Sequence, residues 1–91
     1  MEDFILSKHA KEQLEVRRIN ETLVWKIIEN PQQELREGLE KKVYQSIIAD
    51  EKGEEQLIRV FVNVAKHPKL IITVYKTSKI QKYWKDESKI W

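Results

Sequence analysis

The chain contains no cysteine. That excludes a disulfide framework and a thiolate metal site, and it suits a reducing compartment. There are only two glycines, Gly38 and Gly53, and two prolines, Pro31 and Pro68. These are too few and too scattered for a glycine-rich phosphate loop or a nucleophile elbow. The two histidines, His9 and His67, lie far apart and argue against a transition-metal site. No apolar run approaches the roughly 20 residues of a membrane span. The opening MEDFILSKHAKEQ has acids where a secretory leader needs bases. The expectation is a soluble, cytoplasmic protein with no membrane association, metal or cofactor.

What is present fits one small domain of 91 residues, with a core over about 4–77 and a basic, aromatic tail over 78–91. Net charge is only +2, but it is unevenly spread. Residues 29–40 hold four acids against one base, net −3, whereas residues 76–91 hold five lysines against two acids, net +3. Tyr83, Trp84 and Trp91 sit among those lysines. Lysines interleaved with aromatics can contact phosphate and stack on bases. The plainer reading is a solvated tail whose aromatics pack on the body.

Leu57–Lys76, LIRVFVNVAKHPKLIITVYK, reads as two strands joined by a turn at 65–69. Alternation puts Ile58, Val60, Val62 and Val64 on one face, and Leu57, Arg59, Phe61 and Asn63 on the other. In the second run Leu70, Ile72 and Val74 share a face, and Ile71, Thr73 and Tyr75 the opposite one. Upstream, Ser7 is a good N-cap for a helix over Lys8–Arg17, and Asn20 for one that ends at Asn30-Pro31. A short apolar run, Asp3-Phe4-Ile5-Leu6, precedes the first helix as a brief edge strand. Residues 32–36 are a weak strand, 42–49 a clearer one, and 50–54 a hairpin loop. The spacing predicts an α+β domain: two N-terminal helices on one face of an antiparallel sheet of three to five strands. The aliphatic face of Ile58, Val60, Val62, Leu70, Ile72 and Val74 is expected beneath the helices. Arg59, Asn63, Thr73, Tyr75 and Tyr44 are expected on the open face.

The residues able to do chemistry are few. His9 can titrate near neutrality, although a first-turn histidine often only packs or caps. Arg17 and Arg18 form a basic pair at a helix end, suited either to the helix dipole or to phosphate. Arg59 interrupts an apolar strand, and arginine on a sheet usually answers a carboxylate or a phosphate. Thr73 and Tyr75 share a face with it, though both are also ordinary strand formers. Lys76 adds a cation next to Tyr75.

The segments SKHAKEQLEVRRI, VWKIIENP, KVYQ, LIRVFVNV and LIITVYKT resemble a bacterial family, domain of unknown function 4258. The resemblance rests on His9-Ala10, Arg17-Arg18-Ile19 and Thr73-Val74-Tyr75. Where relatives often carry another arginine, this chain has Gln13. The layout is similar to the RelE-type toxin superfamily, whose open sheet face binds RNA and cleaves it without metal. The resemblance implies His9, Tyr75 and Arg59 as catalytic groups, with Arg17, Arg18, Tyr44, Thr73 and Lys76 binding substrate. RNA and an antitoxin-like protein are the partners it implies. Alternatives from other classes are a non-catalytic protein- or RNA-binding module on the same scaffold, and a structural subunit with Trp84 and Trp91 at an interface.

Overall fold

The two longer helices each begin where a short polar side chain takes up a free backbone amide. The computed structural model describes residues 3–85; Trp91 and the tail beyond Lys85 lie outside the described residues. Helix α1 spans Lys8–Val16, and Ser7 Oγ accepts from the Ala10 amide at 3.0 Å. Helix α2 spans Glu21–Glu29, and Asn20 Oδ1 accepts from the Thr22 amide at 2.8 Å. Both caps fall at the expected residues.

The turn between the helices gives the Arg17-Arg18-Ile19 run a structural cause. Arg18 has φ of 53°, the left-handed conformation that usually closes a helix. The Ile19 amide donates back to the Leu14 carbonyl at 2.9 Å, and the Arg18 amide to the Glu15 carbonyl at 3.3 Å. This is the Schellman arrangement, with Ile19 and Leu14 both buried in the same core cluster.

Five strands follow the order β1-β5-β4-β3-β2: β1 (Phe4–Leu6), β2 (Gln33–Glu37), β3 (Lys41–Ala49), β4 (Glu55–Asn63) and β5 (Lys69–Thr77). The sheet is mixed, not antiparallel throughout, because β1 pairs in parallel with β5. After β1 the two helices carry the chain to the opposite edge at β2, and the sheet then runs back strand by strand to β5 beside β1. A third helix, α3 (Ile80–Tyr83), is a single turn after β5. The tight β3–β4 loop is closed by Asp50 Oδ1, which accepts from the amides of Lys52 and Glu54, each at 2.9 Å. Gly53 takes the positive φ of 80° in that loop.

Helices α1 and α2 rest on one face of the sheet. Ala10, Leu14, Ile19, Val24 and Ile27 meet Ile58, Val60, Val62, Ile71, Val74 and Tyr44 in one cluster. Two strand positions depart from the faces expected for them. The β4–β5 register shifts at Phe61/Val62: Phe61 pairs with Thr73, but Val62 pairs with Ile71. Ile72 is the extra residue of this bulge. The core therefore takes Ile71, fully buried, while Leu70 and Ile72 are only half-buried. The Ile72 carbonyl accepts from Ser7 Oγ at 3.0 Å, tying the bulge to the start of α1.

Tyr44 is the second departure. Expected on the open face, it instead pairs with Val60, is 5% exposed, and lies beneath the helices edge-on to Phe4 at 6.1 Å. A strand with large side chains on both faces, such as KKVYQSIIA, carries no signal for which face the helices cover.

Candidate functional site

The second face of the sheet carries a polar row running straight across four strands. Gln33 pairs with Gln45, Gln45 with Arg59, and Arg59 with Tyr75. Because each strand alternates, these four side chains must emerge on one face, away from α1 and α2. Arg59 Nε donates to Gln45 Oε1 at 2.9 Å, and Gln45 Nε2 donates to Gln33 Oε1 at 2.8 Å. Gln45 is fully buried, and the row leaves none of its amide atoms unpaired.

Two arginines flank Tyr75 from different elements. Arg59 is its partner on the neighbouring strand, with its guanidinium carbon 5.0 Å from the centre of the Phe61 ring and 4.4 Å from that of Tyr83. Arg17 comes from the end of α1, with its guanidinium carbon 5.1 Å from the centre of the Tyr75 ring. Arg17 is held there by Gln13, one turn earlier, whose Oε1 accepts from Arg17 Nε at 2.6 Å.

The C-terminal segment crosses this face. Tyr83 packs edge-on against Tyr75, centroids 5.9 Å apart, and its ring lies 4.4 Å from the Arg59 guanidinium. Gln45 Nε2 also donates to the Tyr83 carbonyl at 3.3 Å. Gln33 grips Lys85 twice, donating to its carbonyl at 2.6 Å and accepting from its amide at 3.1 Å. Leu57 and Val43, which also emerge on this face, are sealed from water at 0% and 1% exposure. The face expected to be open is partly covered by the chain itself.

The electrostatics follow from this packing. Burial lowers the Arg59 pKa, opposed by the Glu37 carboxylate and by the phenols of Tyr83 and Tyr75. Neither Arg59 nor Arg17 has a carboxylate within salt-bridge distance among the described residues, whereas Lys42 pairs with Glu34 at 2.7 Å. The Tyr75 phenol is pulled below its ordinary value, first by hydrogen bonding to Thr77, then to Tyr83, and further by the charges of Lys82 and Arg17. Cations and a polarised phenol form one patch suited to an anion with an attached planar group.

The other candidate residues divide cleanly. Thr73 pairs with Phe61 one step along the same face as Tyr75. His9 is exposed in the first turn of α1, on the Gln13–Arg17 side but about 12 Å along the axis from Arg17. It has no hydrogen bond or ring contact among the described residues. Arg18 and Lys76 line a groove on the helix side together with Asn20, Asp50 and Gln56, so they do not join Arg59 and Tyr75. Tyr44 is in the core. Sequence reasoning missed Gln33, Gln45 and the part played by Tyr83. The available signal was Gln45, a lone amide within the apolar run VYQSII. Among the described residues, no three His, Asp or Glu side chains come together as metal ligands.

No curated protein and no solved structure matches this chain significantly. The profile of one family, Domain of unknown function (DUF4258), matches residues 6–76. The matched span starts at Leu6, before the Ser7 cap, and ends one residue after Tyr75, so α3 falls outside it. Since the match covers most of the chain, and includes α1, the Schellman turn and the Arg59–Tyr75 pairing, the protein belongs to the domain of unknown function 4258 family.

Proposed function

We propose that this protein is an RNA-binding domain that holds a single-stranded segment against Arg17, Arg59, Thr73 and Tyr75. The observation that carries this reading is the pair of arginines that flank Tyr75, Arg17 against its ring and Arg59 as its strand partner, neither of them ion-paired among the described residues. Two arginines match phosphate oxygens in their fork geometry. The Tyr75 ring beside them offers a face for a base. The charge is local, which explains how a chain of net charge +2 can carry a nucleic-acid site.

The test is binding of a fluorescent single-stranded RNA, followed by anisotropy across a salt series. Affinity should fall with salt, with a logarithmic slope of about 0.7 per phosphate neutralised. Arg17→Gln and Arg59→Met should each flatten that slope. Binding that ignores salt, or that survives both substitutions, overturns the reading.

A second reading is favoured by the lowered Tyr75 phenol: cleavage of the bound strand, as a kinship with RelE-type toxins would imply. Tyr75 would then exchange a proton with the ribose or the leaving oxygen, while Arg17 and Arg59 stabilise charge on the phosphorane. His9 would take part only if the strand extends along α1. This reading also brings an antitoxin-like protein as partner. RNA incubated with the protein in chelator should be cut by the wild type and spared by Tyr75→Phe. Intact RNA in both samples leaves the domain as a binding module.

A further inference from the structure

We propose that Ile80–Lys85 is a built-in strap that occupies the Arg59–Tyr75 face and competes with RNA for it. The inference rests on the RNA reading of that face and concerns its regulation.

The strap is held as a ligand is held. Gln33 reads the Lys85 main chain through both of its polar atoms, one donating and one accepting. Gln45 reaches the Tyr83 carbonyl. The Tyr83 ring covers the Arg59 guanidinium, where a stacked base would sit if RNA were bound.

The strap itself is weakly built. Its helix is four residues long, Lys79 gives it no side-chain cap, and none of its residues is buried. A segment with few apolar contacts and partly exposed hydrogen bonds opens at low cost. The polar row beneath belongs to the sheet and stays in place when the segment leaves. The family profile ends at Lys76, so the matched domain builds the face and the segment beyond it supplies the cover.

Competition of this kind raises the apparent dissociation constant by the reciprocal of the open fraction. By linkage, bound RNA must open the strap to the same degree that the strap weakens RNA.

The experiment uses the full chain and a labelled single-stranded oligouridylate. Gln33→Leu removes both bonds to Lys85 while keeping a side chain of similar size, and Tyr83→Ala removes the cover over Arg59. Each is expected to tighten RNA binding by about tenfold or more. Each should also speed hydrogen exchange at the Lys85 amide, and adding RNA to the wild type should speed it too. If exchange at Lys85 is accelerated but RNA binds equally or less tightly, the strap proposal is overturned and the RNA reading stands. If no form binds RNA, including the strap-released variants, the RNA reading fails and the strap's role fails with it.

Discussion

Arg59 and Tyr75 are direct partners across β4 and β5, and the Tyr75 ring is also approached by Arg17 from α1. A phenol beside the charges of Arg17 and Lys82 carries a definite pH signature. Tyr75 lies below the usual 10.0, through its hydrogen bonds to Thr77 and Tyr83 and the nearby cations. Below its pKa the phenol is neutral and leaves both arginines free to attract phosphate. Above it a phenolate places negative charge beside Arg17. RNA affinity should therefore hold through neutrality and fall as pH rises through a midpoint below 10.0. Tyr75→Phe should abolish that fall, as measured by anisotropy at constant ionic strength. A wild-type profile that matches Tyr75→Phe would remove the phenol from the site.

The polar row also makes a stability prediction. Gln45 is fully buried and bonds to Gln33, Arg59 and Tyr83. Gln45→Ala opens a gap and strands at least two of those groups, at a cost of about 2–4 kcal/mol. For a domain of this size the melting temperature should fall by roughly 10 °C or more. A shift of only a degree or two would mean that water replaces the amide freely.

Arg18 adopts a left-handed conformation that costs a residue with a β-carbon about 1 kcal/mol. Arg18→Gly should relieve much of that cost and leave the fold equally or more stable. The buried hydrophobic member of the same turn behaves oppositely. Ile19→Ala should destabilise by about 2–4 kcal/mol, because Ile19 packs with Leu14 in the core. Denaturant titration of the two variants would separate them. Equal losses would show that Arg18 is held by its side chain and not by backbone geometry.

The bulge can be tested by comparing neighbours. Ile71 is fully buried and Ile72 half-buried. Ile71→Ala should cost about 2–5 kcal/mol and Ile72→Ala distinctly less. Unbroken alternation with Val74 predicts the reverse order, so the ranking of the two denaturation midpoints decides the register.

Much of the architecture is legible in the residues themselves. Ser7 and Asn20 announce their helices because a capping oxygen must precede a free amide. Asn30-Pro31 closes α2 because proline restricts the residue before it. Alternation finds the helix-covered set Ile58, Val60, Val62 and Val74, and puts Arg59 with Tyr75 on the other face. It fails at Ile71 and Ile72, where one extra residue reverses the count. It fails again at Tyr44, since a run with large side chains on both faces does not say which one meets the helices. The parallel pairing of β1 is hidden for another reason: three residues fix no register, and their partner lies at the far end of the chain.

By itself, then, the sequence determined the local chemistry: where helices start and stop, which strand positions alternate, and that cation and aromatic side chains are concentrated near the end. These are properties of neighbouring residues, and short-range sterics and hydrogen bonding settle them. Only the tertiary structure decided that Gln33, Gln45, Arg59 and Tyr75 form one row, that Arg17 rather than His9 joins it, and that Tyr83 lies across it. Those relationships depend on strand order and register, which are set by packing the whole core and are encoded at no single position.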